Sequence, residues 1–251
     1  MILLGLLIFS ILGVAPSWGA VAFVKASTQG SCGAASSCGS SFGSLPSSGN
    51  AVIVTTSCWN TSVDCNVSSV TDNQGNTYTQ AVCLQQDTGV ANNQACIYYA
   101  IPIGTPSGTF TVTANASAST YFEVIAVEYS GVSTTSPVDV TKSAKNTTGT
   151  SDTGASSSTT QANELAVCVS SVSANNSSLS YTTPTGYTRR GIQNNATTTI
   201  GFESSDKILS ATGAQQCAWT HSTTSMDGWA AVLATFKASS SRRSMTPLFF
   251  P

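Results

Sequence analysis

The sequence predicts an all-β protein of antiparallel β-sandwich sheets, either two tandem Ig-like sandwiches or two halves merged into one jelly-roll-like sandwich. Short runs rich in Val, Ile, Thr, Tyr and Phe are separated by clusters of Gly, Asn, Ser and Pro, the pattern of strands and turns. Beyond the N-terminal apolar run, no segment keeps the 3.6-residue period of a helix. Hydrophobic residues make up 41% of the chain, which is enough to bury a core.

The first residues have the features of a secretory signal peptide. Residues 1–14 form an almost unbroken apolar run, and Ser17 and Gly19 provide the small residues that a signal peptidase requires. No Lys or Arg precedes the run, so either the start lies further upstream or the signal is weak. The run is shorter than the roughly 20 residues that cross a bilayer. We therefore expect a signal over residues 1–19, a secreted or cell-surface protein, and no membrane span after cleavage.

Eight cysteines point to a disulfide set, because an even number in an exported chain usually forms bridges. The short separations suggest the pairs Cys32 with Cys38, Cys58 with Cys65 and Cys83 with Cys96, which leaves Cys168 for Cys217. The chain has no Cys-x-x-Cys motif, so zinc is poorly supported. We expect no cofactor.

An internal repeat organises the rest of the chain. Residues 22–27 correspond to 138–143, 49–54 to 162–167, 75–80 to 185–190, and 122–129 to 229–236. The four matches keep the same order at similar offsets. They predict one β-sandwich repeat over residues 20–131 and a second over 137–237, followed by an unstructured tail over 238–251.

Each copy contains segments rich in small polar residues. Residues 72–76, Asp-Asn-Gln-Gly-Asn, predict a hairpin turn between strands at 67–71 and 77–83. The same turn offers oxygen ligands, but fewer than the about six to eight that calcium requires. Residues 30–48 and 145–160 are predicted to be equivalent long loops in the two copies.

Charge and titratable residues weigh against nucleic-acid binding and catalysis. The net charge is −2 and only 8% of residues are charged, whereas nucleic-acid binders need a concentrated positive field. Glu123 and Glu128 could be a glycosidase pair, but residues five apart on a strand point to opposite faces. The single His, His221, could form a triad with Ser222 and Asp227, although the chain has no Gly-x-Ser-x-Gly motif. We expect a protein that is not an enzyme.

Aromatic side chains are the better candidates for ligand contact. Trp59 lies between Cys58 and Asn60 in a stretch that is predicted to be an exposed polar loop closed by Cys65. Tyr121 and Tyr181, near predicted strand ends, are further candidates. In contrast, Trp219 and Trp229 lie in apolar strands and are predicted to be core residues.

The succession of motifs resembles a family of secreted β-sandwich modules from environmental bacteria. The motifs are Val-Thr-Asp-Asn-Gln-Gly-Asn-Thr-Tyr at 70–78, Ile-Tyr-Tyr-Ala at 97–100, Val-Glu-Tyr-Ser-Gly at 127–131, Ala-Asn-Glu-Leu at 162–165 and Ala-Thr-Phe-Lys at 234–237. The resemblance covers nearly the whole mature chain. It implies an extracellular β-sandwich of adhesin-like surface proteins and carries over no catalytic residues.

Three functions follow as hypotheses. The first is a non-enzymatic extracellular binding or adhesion module that contacts glycans or cell-surface polymers through its loops. The second is a structural subunit of a surface layer, filament or particle, paired with a neighbouring surface protein through strand edges. The third and weakest is a carbohydrate-active enzyme.

Overall fold

The structure, a computed structural model, describes residues 17–18, 20–60, 64–87, 92–173, 179–194, 200–222 and 228–241. Residues 1–16 and 19 of the signal expected over 1–19, the residue Asp227 and the end of the expected tail lie outside these residues. In the described part of the chain all regular elements are β-strands. They are β1 (Ser17–Trp18), β2 (Ala22–Ala26), β3 (Gly30–Ser41), β4 (Ala51–Asn60), β5 (Val67–Asp72), β6 (Thr79–Asp87), β7 (Asn92–Ala100), β8 (Thr111–Ser130), β9 (Val138–Asn146), β10 (Leu165–Ser173), β11 (Tyr181–Thr182), β12 (Thr188–Gln193), β13 (Ile200–Ile208), β14 (Thr220–His221), β15 (Gly228–Phe236) and β16 (Ser240–Ser241).

Two antiparallel sheets contain most of these strands, and each sheet belongs to one copy of the repeat. The first sheet has the order β2-β8-β4-β7-β6, with β3 and β5 also paired to β8, and the second has the order β9-β15-β10-β13-β12. Each strand of the second sheet therefore has the place of its counterpart in the first. The prediction of an all-β antiparallel sandwich is confirmed.

The strand pairing shows that one of the sequence matches between the two copies is out by one residue. Ala51 pairs with Tyr129, and Leu165 pairs with Phe236, so Ala51 is equivalent to Leu165. The sequence comparison matched Ala51 with Glu164 instead. Gly49 and Asn163, each two residues before these strands, both have positive φ, at 85° and 61°. The same tight turn thus precedes β4 and β10.

The two sheets pack face to face over one hydrophobic cluster that both copies supply. The fully buried members from the first sheet include Ile53, Ile97, Ile125 and Tyr129, and those from the second include Leu165, Val169, Phe202, Val232 and Phe236. Burial of this apolar surface is the main force that holds the copies together.

A further layer covers the outer face of each sheet, so the central strands are buried on both sides. In the first copy, β3, β5 and the first half of the 20-residue strand β8 pack Phe42, Val70 and Val112 onto Val54 and its neighbours. Residues 30–41, predicted to be part of a loop, are therefore strand, because β8 is long enough to pair with them.

The second copy has a simpler form of the same outer layer. Asp152 pairs with Ala218, and Ser158 pairs with Ala214, through isolated bridges. The predicted loop at 145–160 is thus held in an extended form, with Ser151 and Thr153 fully buried. Beneath this layer, Trp219 and Trp229 are buried, as predicted.

Residues 238–241, expected to be unstructured, also take part in the fold. Ala238 forms a bridge with Val132 and is 2% exposed. The short strand β16 pairs with β1. Backbone pairing after β15 extends the ordered chain beyond the predicted boundary at residue 237.

Four disulfides join the same pairs that the separations suggest. They are Cys32–Cys38, Cys58–Cys65, Cys83–Cys96 and Cys168–Cys217. Cys83–Cys96 joins neighbouring strands β6 and β7, and Cys168–Cys217 joins β10 to the outer layer of the second copy. Four disulfides indicate an oxidising compartment.

Each of the two sheets has a buried carboxylate at its lower end, where β4 and β10 begin, but the two carboxylates come from different positions of the repeat. In the first copy Glu128 is fully buried and lies 3.6 Å from the Lys25 ammonium. In the second copy, Thr235 of β15 takes the place of Glu128, and Glu164, just before β10, takes the place of Asn50. The carboxylate of the second copy is therefore supplied from the start of β10 instead of from β15. Burial is the main cause that raises the pKa of Glu164 to about 7; a hydrogen bond with Thr235 opposes the rise, and the nearby Asp139 carboxylate adds to it.

The raised pKa of Glu164 predicts a pH-dependent stability. The folded state holds the Glu164 proton more tightly than the unfolded chain does, so this contribution is complete below the ordinary pKa of 4.5 and is lost as the pH rises through about 7. We expect the melting temperature of Glu164→Gln, relative to that of the wild type, to rise as the pH increases from about 5 to about 8. Thermal unfolding of both proteins across this pH range measures the difference. Parallel pH profiles would contradict the prediction.

The disulfides should differ in their contribution to stability. Cys168 and Cys217 are 49 residues apart, whereas Cys32 and Cys38 are 6 apart, and loop-closure entropy increases with loop length. Replacing both cysteines by Ala should cost about 4 kcal/mol for the long bridge and about 2 kcal/mol for the short one. Denaturant unfolding of the two double variants measures this order, and equal losses would count against it.

Candidate functional site

Trp59 does not lie in an exposed loop. It is the penultimate residue of β4 and is 9% exposed, because layers cover β4 on both faces. The polar residues that follow Trp59 in the sequence predict a loop, but strand pairing continues through Asn60. The predicted exposure is therefore wrong.

Trp59 belongs to a row of four side chains across the first sheet, which we call the polar rung: Gln86, Asn93, Trp59 and Tyr121. Direct pairing places Gln86 of β6 beside Asn93 of β7, Asn93 beside Trp59, and Trp59 beside Tyr121 of β8. Residues an even number apart on a strand share a face, so Trp59 faces the second sheet together with the core residue Ile53. The rung therefore closes the upper end of the space between the sheets.

The two aromatic rings of the rung pack against each other. Their centroids are 5.3 Å apart and the ring planes are tilted by 50°. Trp59 is buried while Tyr121 is half-buried. Trp59 thus supports the Tyr121 ring, which is the part of the pair that a ligand can reach.

Three polar atoms of the rung have no hydrogen-bond partner among the described residues. They are the Trp59 Nε1 donor and the acceptors Asn93 Oδ1 and Gln86 Oε1. Their residues are 9%, 0% and 5% exposed. Buried polar groups normally have partners, and each unpaired group costs about 1–3 kcal/mol. The rung therefore contains one donor and two acceptors that are buried and have no partner among the described residues.

Hydrogen bonds from the second sheet hold the rung in place. Asn93 Nδ2 donates to the carbonyl oxygen of Ser171 at 2.8 Å, and Ser57 Oγ donates to Ser171 Oγ at 2.7 Å. On the other side, Thr120 Oγ1 donates to the carbonyl oxygen of Trp59. These bonds fix the side chains of Asn93 and Ser57 and the backbone that carries Tyr121.

Glu123 lies next to the rung, two residues after Tyr121 and on the same face. It is fully buried and accepts hydrogen bonds from Gln29 Nε2 and Ser31 Oγ, both at 2.7 Å, and from Gln193 Nε2 at 3.2 Å. Burial raises the pKa of Glu123, and these hydrogen bonds oppose the rise. Glu128, on the opposite face, contacts Lys25 instead, so the two acids are apart, as their spacing predicts.

Tyr181 is not an exposed ligand contact. It is 6% exposed, and its ring packs edge-on against His221 with centroids 4.9 Å apart. His221 is also buried, where its Nε2 lies 3.1 Å from Ser151 Oγ, and burial lowers the pKa of His221 to about 4. His221 thus points to Ser151 rather than to Ser222, whose Oγ accepts the backbone N–H of Ser180.

The Asp72 turn stabilises a connection between layers. The Asp72 carboxylate accepts four hydrogen bonds, from the backbone N–H groups of Gln74 and Asn76, from Asn76 Nδ2 and from Tyr78 Oη. These bonds occupy the oxygens that calcium would need. β5 pairs with β8 and β6 pairs with β7, so the predicted hairpin is wrong and the turn joins two different layers.

Gln86 and Asn93 of the rung are not recognisable from the sequence. Gln86 lies near the end of β6 and Asn93 near the start of β7, and neither belongs to a motif that would mark it as a binding residue. Only the alignment of β6, β7, β4 and β8 in one sheet brings them beside Trp59.

No protein-family model, no curated protein and no solved structure matches this chain. None of the described residues forms a helix able to cross a membrane.

Proposed function

We propose that this protein is a non-enzymatic, secreted binding or adhesion module that contacts glycans or other hydroxyl-rich cell-surface polymers through the polar rung. The observation that carries the proposal is the half-buried Tyr121 ring, which is supported by Trp59 and lies in the same row as three buried polar atoms that have no partner among the described residues. Binding sites commonly combine aromatic surface with a few polar groups that fix the orientation of the ligand.

The chemistry of the rung fits a sugar. A hydroxyl group can donate one hydrogen bond and accept others, so the hydroxyls of a glycan have the chemistry to pair with Trp59 Nε1, Asn93 Oδ1 and Gln86 Oε1 where binding exposes these buried atoms. The flat Tyr121 ring offers an apolar surface for the carbon–hydrogen face of the sugar. Hydrogen bonds that replace unpaired buried groups contribute more than those that replace solvated ones.

The location of the rung also supports a binding role. It lies at one end of the sandwich, where β4, β6, β7 and β10 end or begin, and the ends of sandwich folds commonly bear binding loops. The four disulfides fit export into an oxidising environment.

A glycan array with the purified protein tests the proposal. Tyr121→Ala should weaken binding of the retained glycan about tenfold, which corresponds to about 1.4 kcal/mol. Trp59→Phe keeps an aromatic support but removes the Nε1 donor, so it should also weaken binding. Phe23→Ala is the matched control, because Phe23 is an exposed aromatic, at 37%, on the edge strand β2. The proposal fails if no glycan binds, or if Tyr121→Ala and Phe23→Ala bind it equally.

A structural subunit is the second candidate, and strand β2 favours it. β2 is an edge strand of the first sheet and exposes two apolar side chains, Phe23 at 37% and Val24 at 39%. Exposed apolar edges are sites where strands of neighbouring molecules pair. Sedimentation at increasing protein concentration would show assembly that Val24→Lys abolishes, whereas a monomer at all concentrations would exclude this role for β2.

A further inference from the structure

Three reactive groups converge at the buried carboxylate of Glu128, far from the polar rung. The Lys25 Nζ lies 3.6 Å from Glu128 Oε2, and Asn50 Nδ2 donates to Glu128 Oε1 at 2.6 Å. An amine and a carboxamide therefore contact the two oxygens of one carboxylate. Glu128 is fully buried, which keeps bulk water from these oxygens.

The fold holds all three groups in position. Lys25 and Glu128 are direct partners across β2 and β8, and Asn50 immediately precedes β4 on the other side of β8. Lys25 Nζ also donates to the carbonyl oxygen of Leu45 at 2.7 Å and to Ser44 Oγ at 3.0 Å. The backbone N–H of Ser47 donates to Glu128 Oε1 at 2.7 Å, so Lys25 is the cation that faces Oε2.

We propose that Lys25 and Asn50 form an intramolecular amide cross-link, with Glu128 as the proton carrier. This modification is independent of glycan binding and would join the edge strand β2 to the start of β4. Such a bond closes a loop that contains β3, and a covalent closure of this kind restricts the unfolded chain as a disulfide does.

The reaction balances without an oxidant or reductant. In the proposed reaction, Glu128 takes one proton from the Lys25 ammonium, which leaves a nucleophilic amine. Nζ then bonds to Asn50 Cγ while the Cγ–Nδ2 bond breaks. Nδ2 takes one proton by way of Glu128 and leaves as ammonia, and the amide nitrogen keeps one hydrogen. Of the five hydrogens on the two nitrogens at the start, three leave with ammonia, one stays on the amide and one remains on Glu128.

The second copy lacks this combination. Thr235 takes the place of Glu128, and Glu164 takes the place of Asn50, so neither the carboxamide nor the carboxylate is in the reactive position. We therefore expect one such cross-link per chain.

Intact mass spectrometry of the folded full chain tests the proposal with two variants of identical composition. Lys25→Arg keeps a cation beside Glu128, but a guanidinium does not act as the nucleophile. Lys142→Arg changes an exposed lysine of β9 by the same mass. The Lys142→Arg protein should be lighter than the Lys25→Arg protein by one ammonia, and its digest should contain a branched peptide joining Lys25 to Asn50.

Further variants separate the steps. Asn50→Ala should abolish the mass loss while leaving Lys25 intact, and Glu128→Gln, if circular dichroism shows that it folds, should abolish or greatly slow the loss. A mass loss that persists in Lys25→Arg would identify a cyclic imide at an asparagine instead and overturn the proposal. Equal masses for the two lysine variants would also overturn it, and a loss retained in folded Glu128→Gln would remove the role of Glu128.

Discussion

The packing of one sheet against the other is the interaction on which the rest of the structure depends. Each copy of the repeat supplies one sheet, and the two inner faces share a single hydrophobic cluster. Separating the copies would expose Ile53, Ile97, Val169 and Phe202 to water, at about 25 cal/mol for each Å² of apolar surface. Each copy thus covers the apolar face of the other, which would be exposed to water if either copy folded alone.

The side chains between the two sheets change from apolar to polar along the strands. Its lower part is apolar, whereas towards the polar rung it contains hydroxyl groups and amides that bond between the sheets, such as Thr55 with Ser204 at 2.8 Å. Hydrogen bonds of this kind fix the relative position of two sheets more narrowly than apolar contact does, because a shift of one sheet would leave buried polar groups without a partner, which costs free energy. The rigid upper end is the frame on which the aromatic pair and its unpaired neighbours are held.

Hydrogen bonds and a cation–π contact between the copies continue at the side of the sandwich. Arg190 of β12 donates to both oxygens of Asp206, at 2.5 and 2.9 Å, and Tyr129 Oη of the first copy donates to the same carboxylate. The Arg190 guanidinium lies 3.7 Å above the centre of the Phe23 ring. Gln29 uses its side-chain amide to accept from the N–H and donate to the C=O of Ile192, so it covers backbone groups at the edge strand β12 that could otherwise pair with another molecule.

The sequence by itself indicated the all-β class and the repeat and suggested the cysteine pairs, because these depend on side-chain type, alternation and short separations along the chain. It did not determine which faces are covered. Alternation shows that Trp59 and Ile53 share a face, but not that a second sheet lies on it, and the same local polarity that predicts a loop at Trp59 occurs in a strand buried by distant residues. Only the tertiary structure placed Gln86 and Asn93 beside Trp59 and Lys25 and Asn50 beside Glu128, since these neighbours meet through pairing between strands far apart in the chain.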